Sequence, residues 1–261
     1  MADSPLDPAE LQRAGLRLDV DGAVATISLA RPERRNALTF STWHTLARIG
    51  EALPDTVRVV VVRGDGPSFS AGIDLRLFSP EGVPGEDTSA PRDEAFIAGL
   101  QAGYLWLRRP DIVSIAAVQG HAIGGGFQLA LACDLRVVAD DVKFAMKEPA
   151  LGIVPDLTGT KPLVDIVGVP RALELCLTTR TVFAEEAARL GLAELVVPAA
   201  ELDSAVADLV AAILQVRPET AAATKRLIRQ APHNTLEEQA AAERREQVPL
   251  LGSPAAAPAA S

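Results

Sequence analysis

The chain has 261 residues, enough for one large domain or for a core with a smaller helical appendage. Its 48% hydrophobic content supports a buried core, while a formal net charge of −9 argues against a general nucleic-acid binder, which needs a Lys/Arg surplus over a broad face. Any phosphate-bearing ligand must then be held by local basic residues. Residues 1–13 read as a loose, flexible leader, acidic and proline-bearing, without the basic start or apolar run of a signal peptide. No stretch reaches the length of a membrane span. The two cysteines, Cys133 and Cys176, lie in apolar helix-like contexts and read as buried thiols, with no Cys/His metal grouping. A cytoplasmic protein with no nucleic-acid or membrane partner is expected.

Leu16, Leu18 and Val20 alternate, and Val24, Ile27 and Leu29 follow them across Asp21-Gly22, which predicts a hairpin with a type I′ turn. Residues 41–53 space Trp43, Leu46, Ile49 and Leu53 on one helical face. Val57 to Val62, β-branched apart from Arg58, reads as a strand buried on both faces. Residues 79–94 combine three prolines, two glycines and several acids, and read as a mobile loop that is equally a lid or a solvated insertion. A helix over 95–107 and a strand over 112–118 follow, then short strands at 135–139 and 142–145. From residue 170 the pattern turns helical only, suggesting an α/β core over 14–197 with a helical region over 198–251. The Ala/Pro tail, 252–261, is low in complexity and expected to be disordered.

Two segments carry the chemistry. Residues 120–134, GHAIGGGFQLALACD, place three glycines between a strand and a helix, so backbone N–H groups can approach a ligand unobstructed. A helix starting at Gly125 would leave that residue's N–H unpaired at the positive end of the helix dipole. Residues 69–75, FSAGIDL, repeat the strand, glycine turn, helix arrangement. Each unit taken alone is equally a tight turn without a ligand. Together they can aim two donors at one carbonyl oxygen, which is an oxyanion hole.

These segments, with RPERRNAL at 31–38 and FAMKEPALGIVPDLTGT at 144–160, occur in an order that resembles the enoyl-CoA hydratase/isomerase family, also called the crotonase family. The resemblance spans about residues 15–250. It implies an α/β spiral of ββα units with a C-terminal helical trimerisation region, assembled as a homotrimer or a dimer of trimers. It also implies an acyl-CoA substrate, with coenzyme A entering as part of the thioester and no permanently bound cofactor or metal. Carried over by motif, the oxyanion donors are the N–H groups of Ile73 and Gly125. Arg34, Arg35, Ala37, Ala71, Asp74, Leu75, Arg76 and Gly124 are candidates for the coenzyme and substrate path, with Arg31 a further candidate for the phosphates. Each arginine reads equally as a solvated surface charge. Family members usually continue with a basic, aromatic tail that reaches the coenzyme, and here Gly252-Ser253 and Ala/Pro residues replace it.

An enolate site also needs a proton carrier, and burial can raise a carboxylate's pKa towards working pH. The family's hydratases use two glutamates. The second is present as Glu148, whereas the first is replaced by Gln128, which forms hydrogen bonds but takes no proton near neutrality. One carboxylate suffices to move a proton between carbons, so Gln128 tilts the mechanism towards isomerisation, while the family's frequent reaction, hydration of the double bond, stays open and should be slower with one carboxylate. Asp156 matches an acidic position of the dienoyl-CoA isomerase branch and reads equally as a helix N-cap, with Thr158 and Thr160 nearby. His121, beside the glycines, reads as a hydrogen-bonded turn residue. A non-catalytic acyl-CoA-binding protein that kept the oxyanion pocket is the competing class.

Overall fold

A computed structural model describes residues 6–87, 89 and 91–252. The expected tail lies outside them apart from Gly252, as do the first five residues of the expected leader. The rest of that leader is corrected: Pro8–Arg13 forms a helix, α1. The Asp7 carboxylate accepts from the Ala9 N–H, Pro8 sits in the first turn, and Leu11 is buried in the core. Strands β1 (Leu16–Asp21) and β2 (Val24–Leu29) pair antiparallel. Their two-residue loop is Gly22-Ala23, and only Gly22 has positive φ (+55°), the pattern of a type II′ rather than a type I′ turn.

Helix α2 (Phe40–Ala52) starts at Thr39, whose hydroxyl faces the Thr42 N–H in a reciprocal cap, and buries Trp43, Leu46 and Ile49. Strand β3 (Val59–Gly64) follows. A 3₁₀ turn over Leu75–Phe78 leads, past the proline-rich loop, to α3 (Glu94–Leu105). Strands β4 (Val113–Val118) and β5 (His121–Ile123), helix α4 (Gly125–Ala132), and strands β6 (Leu135–Ala139) and β7 (Lys143–Ala145) complete the middle of the chain. Helix α5 (Thr160–Thr178) is broken at Gly168, where φ is +75°, just ahead of Pro170.

The expectation of helices alone beyond residue 170 is corrected. Strand β8 (Val182–Phe183) precedes α6 (Ala184–Leu190), and β9 (Leu195–Val197) precedes α7 (Leu202–Gln215), α8 (Pro218–Gln230) and α9 (Leu236–Gly252). The main sheet runs β1-β2-β3-β4-β6-β9, parallel after its first hairpin, and a smaller sheet runs β5-β7-β8. The unbroken valine run of β3 follows from its position. Val60 and Val62 face the principal core with α2 and α4, while Val59 and Val61 pack with Leu202 and Val206 of α7 on the other face.

Asp134, at the end of α4, ties the helical region to this core. Its carboxylate accepts from the Ser114 N–H (2.9 Å), from Lys225 Nζ of α8 (2.7 Å) and from Arg229. Among the described residues, no helix is long and apolar enough to cross a membrane.

Candidate active site

The parallel strands β3 and β4 end at the same edge of the main sheet, and the two glycine segments leave from there. After β4 the chain forms β5 and reaches Gly124, whose N–H donates to the Ala145 carbonyl of β7 (2.8 Å). Gly124 has φ +50°, and a Cβ there would stand 3.0 Å from Glu148 Oε1, so geometry and space both call for glycine. Gly125 then begins α4, as the sequence predicts. In the other segment Leu38 N–H donates to the Gly72 carbonyl and Asp74 N–H to the Leu38 carbonyl, each at 2.8 Å. Gly72, at φ +84°, lets the segments meet: a Cβ there would lie 2.5 Å from the Ile123 carbonyl oxygen and 3.6 Å from Gly125 N. Among the described residues, neither Ile73 N–H nor Gly125 N–H finds a protein acceptor.

Both segments line one cavity of about 660 Å³. Of the predicted site residues, Ala71, Ile73, Leu75, Gly124, Gly125, Glu148 and Asp156 reach its wall. Gln128, Ala37, Asp74, Arg34, Arg35 and Arg76 do not. Arg34 and Arg35 are exposed. Asp74 instead binds Arg76 (2.6 Å) and Arg31 (3.1 Å), and its hydrogen bonds from Arg76 push its pKa down to about 2 despite burial. Arg31 also donates to the Ala37 carbonyl (2.8 Å), so this knot braces the turn around Ile73 from behind.

Glu148 follows β7 at the start of a 3₁₀ turn and is only 6% exposed. Its Oε1 accepts from Gln128 Nε2 at 2.6 Å, while Oε2 is buried with no hydrogen-bond partner. Burial raises its pKa and Asp156 adds to the rise, while the neighbouring backbone N–H dipoles and the Gln128 hydrogen bond oppose it. Gln128 itself is completely buried, and its Oε1 accepts from the N–H groups of Leu157 (2.9 Å) and Gly159 (3.1 Å). It therefore clamps Glu148 to the 157–159 turn.

The cap reading of Asp156 is also corrected: α5 begins at Thr160, after Gly159, with no side-chain cap. Asp156 instead lines the cavity, its pKa raised by burial, and its backbone carbonyl accepts from Gln101 Nε2 of α3 (2.7 Å). His121, the first residue of β5, pairs with Ser68 Oγ (3.2 Å) and stays off the cavity wall.

Sequence reasoning missed Tyr104, which is fully buried and donates to the Gly125 carbonyl (2.8 Å), and the apolar wall of Phe40, Phe78, Phe96, Ile97 and Leu100. It also missed Arg92 and Lys147 on that wall. Phe40, Phe96 and Tyr104 sit on the apolar faces of α2 and α3, so nothing in their spacing separates a pocket wall from core. Among the described residues, no group of three or more His, Cys, Asp or Glu side chains is arranged to hold a metal ion.

The chain is similar to many proteins of known sequence and structure. A Mycobacterium tuberculosis protein named as an enoyl-CoA hydratase is 32% identical over 227 residues, covering 86% of this chain and 85% of its own. The carnitinyl-CoA dehydratase of Escherichia coli is 35% identical over 226 residues, covering 85% and 83%. Crystal structures of a Thermobifida fusca protein described as an enoyl-CoA hydratase superpose with a TM-score of 0.90. Its complex with CoA is 56% identical, covering 95% of this chain and 96% of that one; its complex with acetoacetyl-CoA is 55% identical, covering 95% and 99%. Residues 19–252 match the enoyl-CoA hydratase/isomerase family as a whole, and the chain belongs to that family.

Proposed function

We propose that the protein binds an acyl-CoA thioester with its carbonyl oxygen between the N–H groups of Ile73 and Gly125, and that Glu148 moves a proton on the acyl chain to shift a carbon–carbon double bond. Removing an α-proton places charge on the thioester oxygen. Two preorganised donors stabilise that enolate more than the neutral ground state, which lowers the barrier. The observation that carries the reading is Glu148 Oε2, a buried carboxylate oxygen without a partner on the cavity wall that also holds both unpaired N–H groups. A raised pKa brings such a carboxylate closer to an aqueous working pH, where it can both take and return a proton.

Isomerisation fits better than hydration. Hydration needs water activated at one carbon and a proton delivered to the next, and the first of the two family carboxylates is here a buried amide, Gln128, with both ends engaged. A related reading follows from Asp156. As a second, half-buried acid in the cavity, it would exchange protons at a more distant carbon of a conjugated dienoyl thioester, with Glu148 serving the carbon near the carbonyl. Assembly as a homotrimer or a dimer of trimers belongs to the same reading. Val169, Leu173 and Leu177 form an exposed i, i+4, i+8 stripe on α5 that a second copy would cover.

Three thioesters separate the outcomes: crotonyl-CoA for hydration, a 3-enoyl-CoA for the single shift, and a 3,5-dienoyl-CoA for the extended one. Glu148→Gln should abolish turnover of the last two, and Asp156→Asn that of the dienoyl substrate alone. Rapid Glu148-dependent hydration of crotonyl-CoA without isomerisation would refute the proposal. Tight thioester binding with no turnover across the panel would establish the non-catalytic alternative.

A further inference from the structure

The acyl cavity is apolar over most of its wall, yet the solvent-exposed Arg92 stands at its rim. Its guanidinium lies 5.7 Å from the Phe40 ring centroid and 5.1 Å from that of Phe78, and Nη2 donates to the Leu77 carbonyl at 3.2 Å. Among the described residues, no carboxylate pairs with it. The acids around it are engaged elsewhere: Glu86 accepts from the Ser41 N–H at the start of α2, and Asp93 accepts from the Phe96 N–H at the start of α3. The other cation on the wall, Lys147, is satisfied by the Thr179 carbonyl.

A path of side chains leads from the proposed oxyanion site to this charge. A Cβ at Gly125 would touch Trp43 Cζ2 at 3.4 Å, the Trp43 and Phe40 rings are 6.4 Å apart, and Phe40 carries the Arg92 guanidinium. A thioester with its carbonyl at Gly125 and its acyl chain laid along Trp43 and Phe40 would run towards Arg92 in the same cavity. We infer that Arg92 recognises a carboxylate at the far end of the acyl chain, so that dicarboxylic acyl thioesters are the preferred substrate class. This inference rests on the acyl-CoA reading above. The recognised chemistry is an anionic oxygen group, which the coenzyme's phosphates could also supply; the acyl source is favoured because Phe40, Phe96 and Ile97 surround the approach with apolar wall. A cationic acyl chain is disfavoured, since the faces of Phe40 and Phe78 that would attract it already meet a guanidinium.

Calorimetry with free CoA, butyryl-CoA, glutaryl-CoA and 4-trimethylammoniobutyryl-CoA tests this directly. The parent protein should bind glutaryl-CoA about tenfold more tightly than butyryl-CoA, as expected for one charge-assisted contact near solvent, and the cationic thioester most weakly. Arg92→Leu should bring the glutaryl-to-butyryl ratio close to unity, and Arg92→Lys should keep part of it. A ratio that survives Arg92→Leu, or no preference in the parent protein, overturns the inference while leaving the acyl-CoA reading intact. Equal weakening of free CoA and glutaryl-CoA by Arg92→Leu also overturns it, assigning Arg92 to a phosphate. Failure of every thioester to bind overturns both.

Discussion

Replacing Gln128 by Met tests whether this residue is the clamp that holds the proton carrier in place. Met is close to Gln in length and tolerated in cores, so packing changes little, but three hydrogen bonds disappear. They run to Glu148 Oε1 (2.6 Å) and from the Leu157 and Gly159 N–H groups (2.9 and 3.1 Å), all at a site with no solvent access. Each buried N–H left without an acceptor costs about 1–3 kcal/mol. With partial relaxation of the 157–159 turn, the variant should lose about 2–4 kcal/mol of a total stability of about 5–15 kcal/mol. Urea unfolding with an unchanged m-value would read this as a lower midpoint. Glu148, free to rotate, should lose about 10² in kcat/KM towards a 3-enoyl thioester, the scale of an ångström-level misplacement. A variant as stable as the parent, with kcat/KM within about threefold, would refute the clamp.

Three further outcomes follow from the same geometry. Folding raises the Glu148 pKa above its ordinary value of 4.5, so the native state binds more protons than the unfolded chain, and stability falls as pH rises from 4.5 through the raised value. Glu148→Gln should remove that slope, with unfolding curves across this range diverging in the variant's favour as pH increases; parallel curves would contradict it. Gly72→Ala forces a Cβ to 2.5 Å from the Ile123 carbonyl at φ +84°, and should cost about 1–3 kcal/mol in thermal melts together with most turnover. Asp134→Ala leaves Lys225, which is 9% exposed, with only the Arg109 and Ile112 carbonyls and takes the carboxylate from Arg229; a loss of about 3–5 kcal/mol and faster amide exchange in α8 are expected.

Local chemistry explains which features the sequence displayed. The start of α4 at Gly125 was legible because a triple glycine admits few alternatives between an apolar strand and an apolar helix, and β3 because β-branched residues run without alternation. Helix α1 carried its own signals, an Asp cap with Pro in the first turn, but it is too short to show an apolar period. Strands β8 and β9 have two and three residues, and their strand character comes from β7 and β6, distant partners no local window contains. Asp156 stood where a cap is plausible, and only the late start of α5 at Thr160 removes that role.

Gln128 makes the same point at the site. Its identity signalled a departure from two-carboxylate chemistry, but its role depends on which groups surround it in space. The amide presents N–H to a carboxylate and carbonyl oxygen to two backbone donors, so it satisfies opposite polarities at its two ends. A glutamate here could still accept from Leu157 and Gly159, but it would face Glu148 at 2.6 Å with no donor unless one of the two carboxyls held a proton. The substitution thus keeps Glu148 oriented through a donor that never titrates. One carboxylate oxygen remains unpaired, which is what the proposed transfer of a single proton requires.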